Sequence, residues 1–173
     1  MRKKTTQQPA TTQDLVEQQR QQANYADPAW DTAMYISARA YVARWFQCEI
    51  HHVGILGDGG TGEGIYQASS IVSKWADAVI AAAGAVVTQA DIADEDAAMI
   101  RCMGPGAADI DDWIEAVHEQ AAEIVAGAGK VILTIAHILM HTRDKRGDSI
   151  LRGLEIDAIL ETAHWLDVQE EEE

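Results

Sequence analysis

From Lys130 to His141 the chain reads KVILTIAHILMH, and between Val131 and Met140 only Thr134 and His137 are polar. A surface helix carries one apolar stripe, whereas a helix apolar on nearly every side has to be wrapped by others. The apolar stretch is far shorter than the roughly 20 residues that cross a bilayer. It therefore predicts the buried central helix, residues 131–140, of a soluble helical bundle. The expected fold class is all-α: a single-domain bundle of about five main helices around this central one.

Composition agrees with that expectation. A chain of 173 residues makes one domain, or one domain with tails. Three prolines and abundant alanine favour helix over strand. Residues 1–10 read as a disordered polar tail, 11–168 as the bundle and 169–173 as an acidic tail. A short polar helix is expected over 12–23. The start MRKKTTQQP is basic but lacks the apolar core of a signal peptide. Cys48 and Cys102 stand too far apart in sequence to suggest a disulfide framework or a metal motif. A reducing, cytoplasmic setting follows as the expectation.

Helix boundaries come from caps and breakers. Asp27-Pro28 predicts a helix start, with Met34, Ala38, Tyr41, Trp45 and Cys48 on one face through to about Val53. Arg39 and Arg44 fall outside that stripe. A glycine-rich loop, Gly57 to Gly64, precedes the next helix, expected from Thr61 or Gly62. Ile65, Ala68, Val72, Trp75, Val79, Ala82 and Val86 follow alternating three- and four-residue steps, a heptad seam. Such a seam packs inside a bundle or joins two copies of the chain; in the second case Ile65, Ala68, Val72, Trp75, Val79 and Val86 would form a homodimer contact. Further helices are expected over Asp94–Met103, from Asp109 or Asp111 to about Ala126, and from Ile150 to about Asp167. Gly147, then Asp148-Ser149, read as the cap between the last two.

Net charge is −15, and it is concentrated. Between Trp45 and Gly129 the only bases are Lys74 and Arg101, against 14 acids. A surface of that sign repels nucleic acid and membranes and attracts basic partners. Within it, Ile110, Trp113, Val117, Ala121 and Ile124 mark the core face of one amphipathic helix. Asp112, Glu115, Glu119 and Glu123 mark the opposite face, a stripe about 16 Å long at 1.5 Å per residue.

Three histidines follow a glutamate by three positions: Glu49–His52, Glu115–His118 and Glu161–His164. On a helix, i and i+3 face one way, and carboxylate with imidazole suits iron or manganese; di-iron carboxylate bundles use this spacing on two helices. The metal alternative is therefore a site of Glu115, His118, Glu161 and His164. It lacks the lone glutamates that such bundles carry on their other two helices. His137 and His141, an i, i+4 pair, suit zinc by spacing alone, but isoleucine follows His137, so the H-E-x-x-H hydrolase motif is absent. Gly57-Asp58-Gly59-Gly60-Thr61-Gly62 matches G-x-G-x-x-G, yet a dinucleotide site needs a strand before it and a βαβ unit around it. The short basic cluster Arg143, Lys145, Arg146 and Arg152 is interrupted by Asp144 and Asp148. It reads as helix-end complementarity rather than a nucleic-acid site.

The sequence thus predicts a non-enzymatic acidic binding protein that needs no cofactor, its partner a basic protein surface. In its sharper form it is an inhibitor occupying a nucleic-acid-binding surface, as anti-restriction and anti-CRISPR proteins, antitoxins and nuclease immunity proteins do. The residues expected to carry the contact are Asp94, Glu95, Asp96, Asp109, Asp112, Glu115, Glu119 and Glu123. The alternatives are a bundle binding iron, manganese or zinc, and an assembly component dimerising through the heptad seam.

Overall fold

A computed structural model describes residue 27 and residues 29–57, 63–68, 73–90, 94–104, 106 and 109–171, with backbone alone at 94, 95 and 163–171. The expected tail 1–10 and the helix over 12–23 lie outside the described residues. The element order is α1 (Ala29–Trp45), β1 (Ile50–Leu56), β2 (Glu63–Ala68), α2 (Lys74–Thr88), α3 (Asp94–Met103), α4 (Ile110–Ala126), α5 (Gly129–His141), β3 (Ser149–Arg152) and α6 (Gly153–Glu171). The chain is mostly helical, but it also contains a three-stranded antiparallel sheet in the order β2-β1-β3. The all-α expectation is corrected on that point.

The sheet arises where the helical reading ran too far. Helix α1 starts at Ala29, whose N–H donates to Asp27 Oδ1 at 2.9 Å. It ends at Trp45, not near Val53, and Gln47 turns the chain with φ of 60°. The segment Ile50–Leu56 then runs extended, with the β-branched residues Ile50, Val53 and Ile55 buried. Ile65 pairs with Gly54 and Tyr66 with Val53 across the β1–β2 hairpin. On the other side Leu151 pairs with Val53 and Ser149 with Ile55. Asp148 fixes this junction by accepting the Gly57 N–H at 2.9 Å. It therefore ties two strands together instead of belonging to a helix cap, and α6 begins only at Gly153. Helix α6 continues to Glu171, past the boundary expected at 168.

The heptad seam does not survive as one helix. Ile65 and Ala68 lie on β2. Helix α2 starts at Lys74 because Ser73 caps it, its side chain accepting the Ala76 N–H at 3.1 Å. Val79 and Val86 are buried within the chain, and Trp75 packs edge-on against Trp113 with ring centroids 5.0 Å apart. Val72 lies outside the described residues. Trp75, Val79 and Val86 therefore pack within the chain.

The helix that the others wrap is α2, not the stretch 131–140. Of its 15 residues, 11 are buried, including the unbroken run from Ala78 to Val87. It touches α1, α3 and α4. Alanine makes this possible: small side chains let neighbouring helices approach from every side. Gly84 takes the approach furthest, since a Cβ there would sit 2.5 Å from the Tyr35 ring of α1. Helix α5 packs its Ile132, Ile135, Ala136 and Leu139 inward, against α1 and α6, while Lys130, Thr134 and His141 face solvent. It is a flank of the body rather than its axis. α1 lies between α2, α5 and the sheet, which explains why its Trp30, Met34, Ile36 and Val42 are buried on different sides. Among the described residues no single helix is long and apolar enough to cross a membrane.

Candidate functional site

The acidic face of α4 follows directly from its amphipathic sequence. Val117, Ala121, Ile124 and Val125 are buried, and α4 packs against α2 and α1 through that side. The 3.6-residue period then puts Asp112, Glu115, Glu119 and Glu123 on the far side, where all four are exposed. Asp109, preceding the helix, and Asp111, in its first turn, are exposed as well. Acids in the first turn favour the positive end of the helix dipole. Among the described residues none of these six makes an ion pair with a cation; Glu123 accepts a hydrogen bond from Gln120 Nε2 at 3.0 Å. Two arginines are committed elsewhere: Arg44 to Asp157 at 2.8 Å and Arg143 to Asp27 at 2.6 Å. Asp111, Ile114, Glu115, His118 and Glu119 line an open depression of about 400 Å³ on this face.

The acids of α3 are a different matter. Asp94 and Glu95 are on its first turn, but their side chains are not described. Asp96 is turned inward and only 7% exposed. It accepts the Tyr35 hydroxyl hydrogen bond and faces Arg39 Nη1 at 3.3 Å. Asp96 is thus removed from the expected partner face: it pairs with the partly buried Arg39.

The metal alternative fares differently at each pair. Glu49 and His52 lie in extended chain at the start of β1, where i and i+3 do not share a face, so the helical argument does not hold there. Glu115 and His118 are both exposed on α4. Glu161 is exposed on α6, and the His164 side chain is outside the described residues. Among the described residues no group of three or more histidine, cysteine, aspartate or glutamate side chains could hold a metal ion. His137 and His141 stack on one another with centroids 6.1 Å apart, and His137 also meets Trp30 at 4.9 Å. Burial, and then the neighbouring His141, hold the His137 imidazole below its ordinary range. The G-x-G-x-x-G match does follow a strand, but the next described element is β2 of an antiparallel hairpin, not the helix of a βαβ unit.

A second site was hardly legible in the sequence. Helix α1, strand β2 and the end of α2 enclose a cleft of about 450 Å³. Asp31, Thr32, Tyr35, Ile36 and Arg39 line it from α1, Gly64 and Tyr66 from β2, Thr88 from the end of α2 and Ala90 from just beyond it. Gly64 is needed where β2 crosses α1, since a Cβ there would come within 2.7 Å of Ile36. The Arg39 guanidinium lies over the Tyr66 ring, 4.9 Å from its centroid. Burial pushes the Tyr66 phenol up to about 12, against the opposing pull of Arg39. Tyr35 is also raised, by burial first and then by its hydrogen bond to Asp96. The sole sequence hint was that Arg39 fell off the apolar stripe of its helix. No family model and no curated protein sequence matches this chain.

Proposed function

We propose that the protein is a non-enzymatic binding protein whose α4 face engages a basic surface on a partner, in its sharper form as an inhibitor seated where that partner would hold nucleic acid. One observation carries the reading: Asp109, Asp111, Asp112, Glu115, Glu119 and Glu123 are exposed along one helix, unpaired with any cation among the described residues. Carboxylates three or four positions apart on a helix are about 5–6 Å from one another. A groove that neutralises phosphates with lysine and arginine meets a similar row of negative charge. The depression beside Glu115 and Glu119 gives a basic side chain somewhere to enter.

The test compares two variants of equal net charge. One carries Asp112→Asn, Glu115→Gln, Glu119→Gln and Glu123→Gln. The control carries Glu49→Gln, Glu63→Gln, Glu155→Gln and Glu161→Gln, all at exposed positions outside α4. Proteins are captured from host lysate on wild type and on each variant, then identified by mass spectrometry. The reading requires a basic partner retained by wild type and the control and lost by the α4 variant. Equal retention on both variants would refute it.

A further inference from the structure

We infer that a second copy of this chain docks on the open edge of β2, so that two three-stranded sheets join across a two-fold axis into one continuous sheet. The inference is independent of the α4 face and begins with the backbone groups that β2 leaves unused. In an antiparallel ladder, successive residues of a strand bond alternately to one side and the other. The Arg152 N–H donates to Glu155 Oε2 at 2.7 Å, so Arg152, and with it Ile150, faces away from β1. The pairs Val53–Leu151 and Ile55–Ser149 therefore carry the β1–β3 bonds. Gly57, next in that series, likewise turns its N–H to Asp148 on the β3 side. Gly54 and Leu56 are left to bond to Ile65 and Glu63 of β2. The N–H and C=O groups of Gly64 and Tyr66 then point outward, and among the described residues nothing pairs with them.

The two edges of the sheet are not alike. Strand β3 is four residues long, Glu155 takes the outward N–H of Arg152, and α6 follows at once. Strand β2, EGIYQA, has neither proline nor lysine, the residues that commonly guard an edge, and its one charge is Glu63 at its start. Gly64 is exposed. The cleft of about 450 Å³ beside it takes no lining residue from β1, so it opens on the outer side of β2, where an added strand would run.

The sequence of β2 is complementary to itself. A two-fold interface sets residue i against j and j against i. With the axis beside Ile65, Gly64 of each copy faces Tyr66 of the other. Both are outward-bonding residues, so each of these pairs exchanges both of its N–H···O bonds. On the α1 side each Tyr66 ring reaches over the bare Gly64 of the other copy, into the space the two clefts then share. An aromatic side chain across from an edge glycine covers backbone that the glycine leaves open. On the opposite face Ile65 meets Ile65, and Glu63 faces Gln67, so no like charges are opposed. Of the heptad positions in the sequence, only Ile65 is central to this pairing.

Sedimentation equilibrium on the full chain tests this. Wild type should sediment as a dimer. Ile65→Glu, which sets two like charges against one another, should sediment as a monomer with an unchanged circular-dichroism spectrum. Ile150→Glu alters an exposed apolar position on the same sheet face but not the β2 edge, and should remain a dimer. Register is read by oxidation in a Cys102→Ser background, which removes the exposed native thiol. Residues opposed in a non-hydrogen-bonded pair have Cα atoms about 4.5 Å apart, within disulfide reach. Ile65→Cys should therefore cross-link to its own counterpart. Gln67→Cys, offset from its counterpart by about 14 Å along the strands, should not. A wild type that is monomeric at every concentration overturns the inference. So does a dimer that survives Ile65→Glu, one that Ile150→Glu dissociates, or one cross-linked through Gln67→Cys rather than Ile65→Cys.

Discussion

Replacing Gly84 by alanine sets two local rules against one another. Gly84 is in the interior of α2, where alanine is the better helix former by about 1 kcal/mol. Its missing side chain, however, is what admits Tyr35. An alanine Cβ would stand 2.5–2.6 Å from three atoms of that ring. Carbon atoms pack at about 3.5–4.0 Å, so the ring has to retreat by about 1 Å. It cannot do so without loss, because its hydroxyl is anchored on Asp96 beyond. Overpacking costs about 1–3 kcal/mol. A weakened hydrogen bond to a charged group costs about 1.5–3 kcal/mol more. The packing terms therefore outweigh propensity, and the variant should be destabilised by roughly 2–4 kcal/mol. In a chain of this size each kcal/mol moves the melting temperature by about 2–4 °C. Thermal melting followed by circular dichroism, with urea unfolding alongside, measures the effect. A double-mutant cycle locates it: in a Tyr35→Ala background, Gly84→Ala should cost almost nothing or stabilise. A single Gly84→Ala variant melting at or above wild type would refute the close α1–α2 approach.

Three further outcomes follow from the same geometry. Asp96→Ala takes the counter-charge from the partly buried Arg39 and the acceptor from the Tyr35 hydroxyl and should cost about 1.5–3 kcal/mol in urea unfolding, whereas Asp112→Ala on the exposed face should stay within about 0.5 kcal/mol. The Tyr66 phenol, raised from 10.0 to about 12, keeps its proton in the folded state after the unfolded chain has lost its own, so stability should fall as pH rises through that window. Ultraviolet phenolate titration of wild type against Tyr66→Phe checks this, with one late-titrating tyrosine expected to vanish. His137 is depressed by burial and by His141, so the unfolded chain takes up its proton first; stability should drop as pH falls below the ordinary histidine range, and the loss should be smaller in His137→Gln.

How far the sequence could be read depended on what each signal measures. Helices α3, α4 and α5 were legible because their boundary signals are local: Asp109 just before α4, although its side chain makes no capping hydrogen bond, and Gly127 between α4 and α5. The exposed face of α4 was legible because amphipathic periodicity reports directly which side is wet. The sheet was missed because the segment up to Val53 was read as helix and Ile65 and Ala68 as part of a heptad, while Ser149–Arg152 is only four residues long and pairs with a strand far back in the chain. The steps from Ile65 to Val86 matched a heptad by count alone, across a strand and the Ser73 cap of the next helix. Ranking helices by hydrophobicity favoured α5, whereas α2 is more completely enclosed because alanine is small. Asp96 could not be told from its acidic neighbours, since its role depends on Tyr35 and Arg39, 61 and 57 residues earlier in the chain. The cleft was hidden for the same reason: its lining comes from three elements that only the fold assembles.

The salt dependence of binding to a defined basic probe addresses the α4 face most directly. An oligolysine peptide is titrated by fluorescence anisotropy across a range of ionic strength, against wild type, the α4 variant and the charge-matched control. Exposed charge pairs are screened by salt, so affinity should fall steeply in wild type and in the control, with a clearly shallower slope and weaker binding in the α4 variant. Identical slopes and affinities for the two variants would mean that the peptide reads net charge alone, contradicting a docking surface at Asp112, Glu115, Glu119 and Glu123.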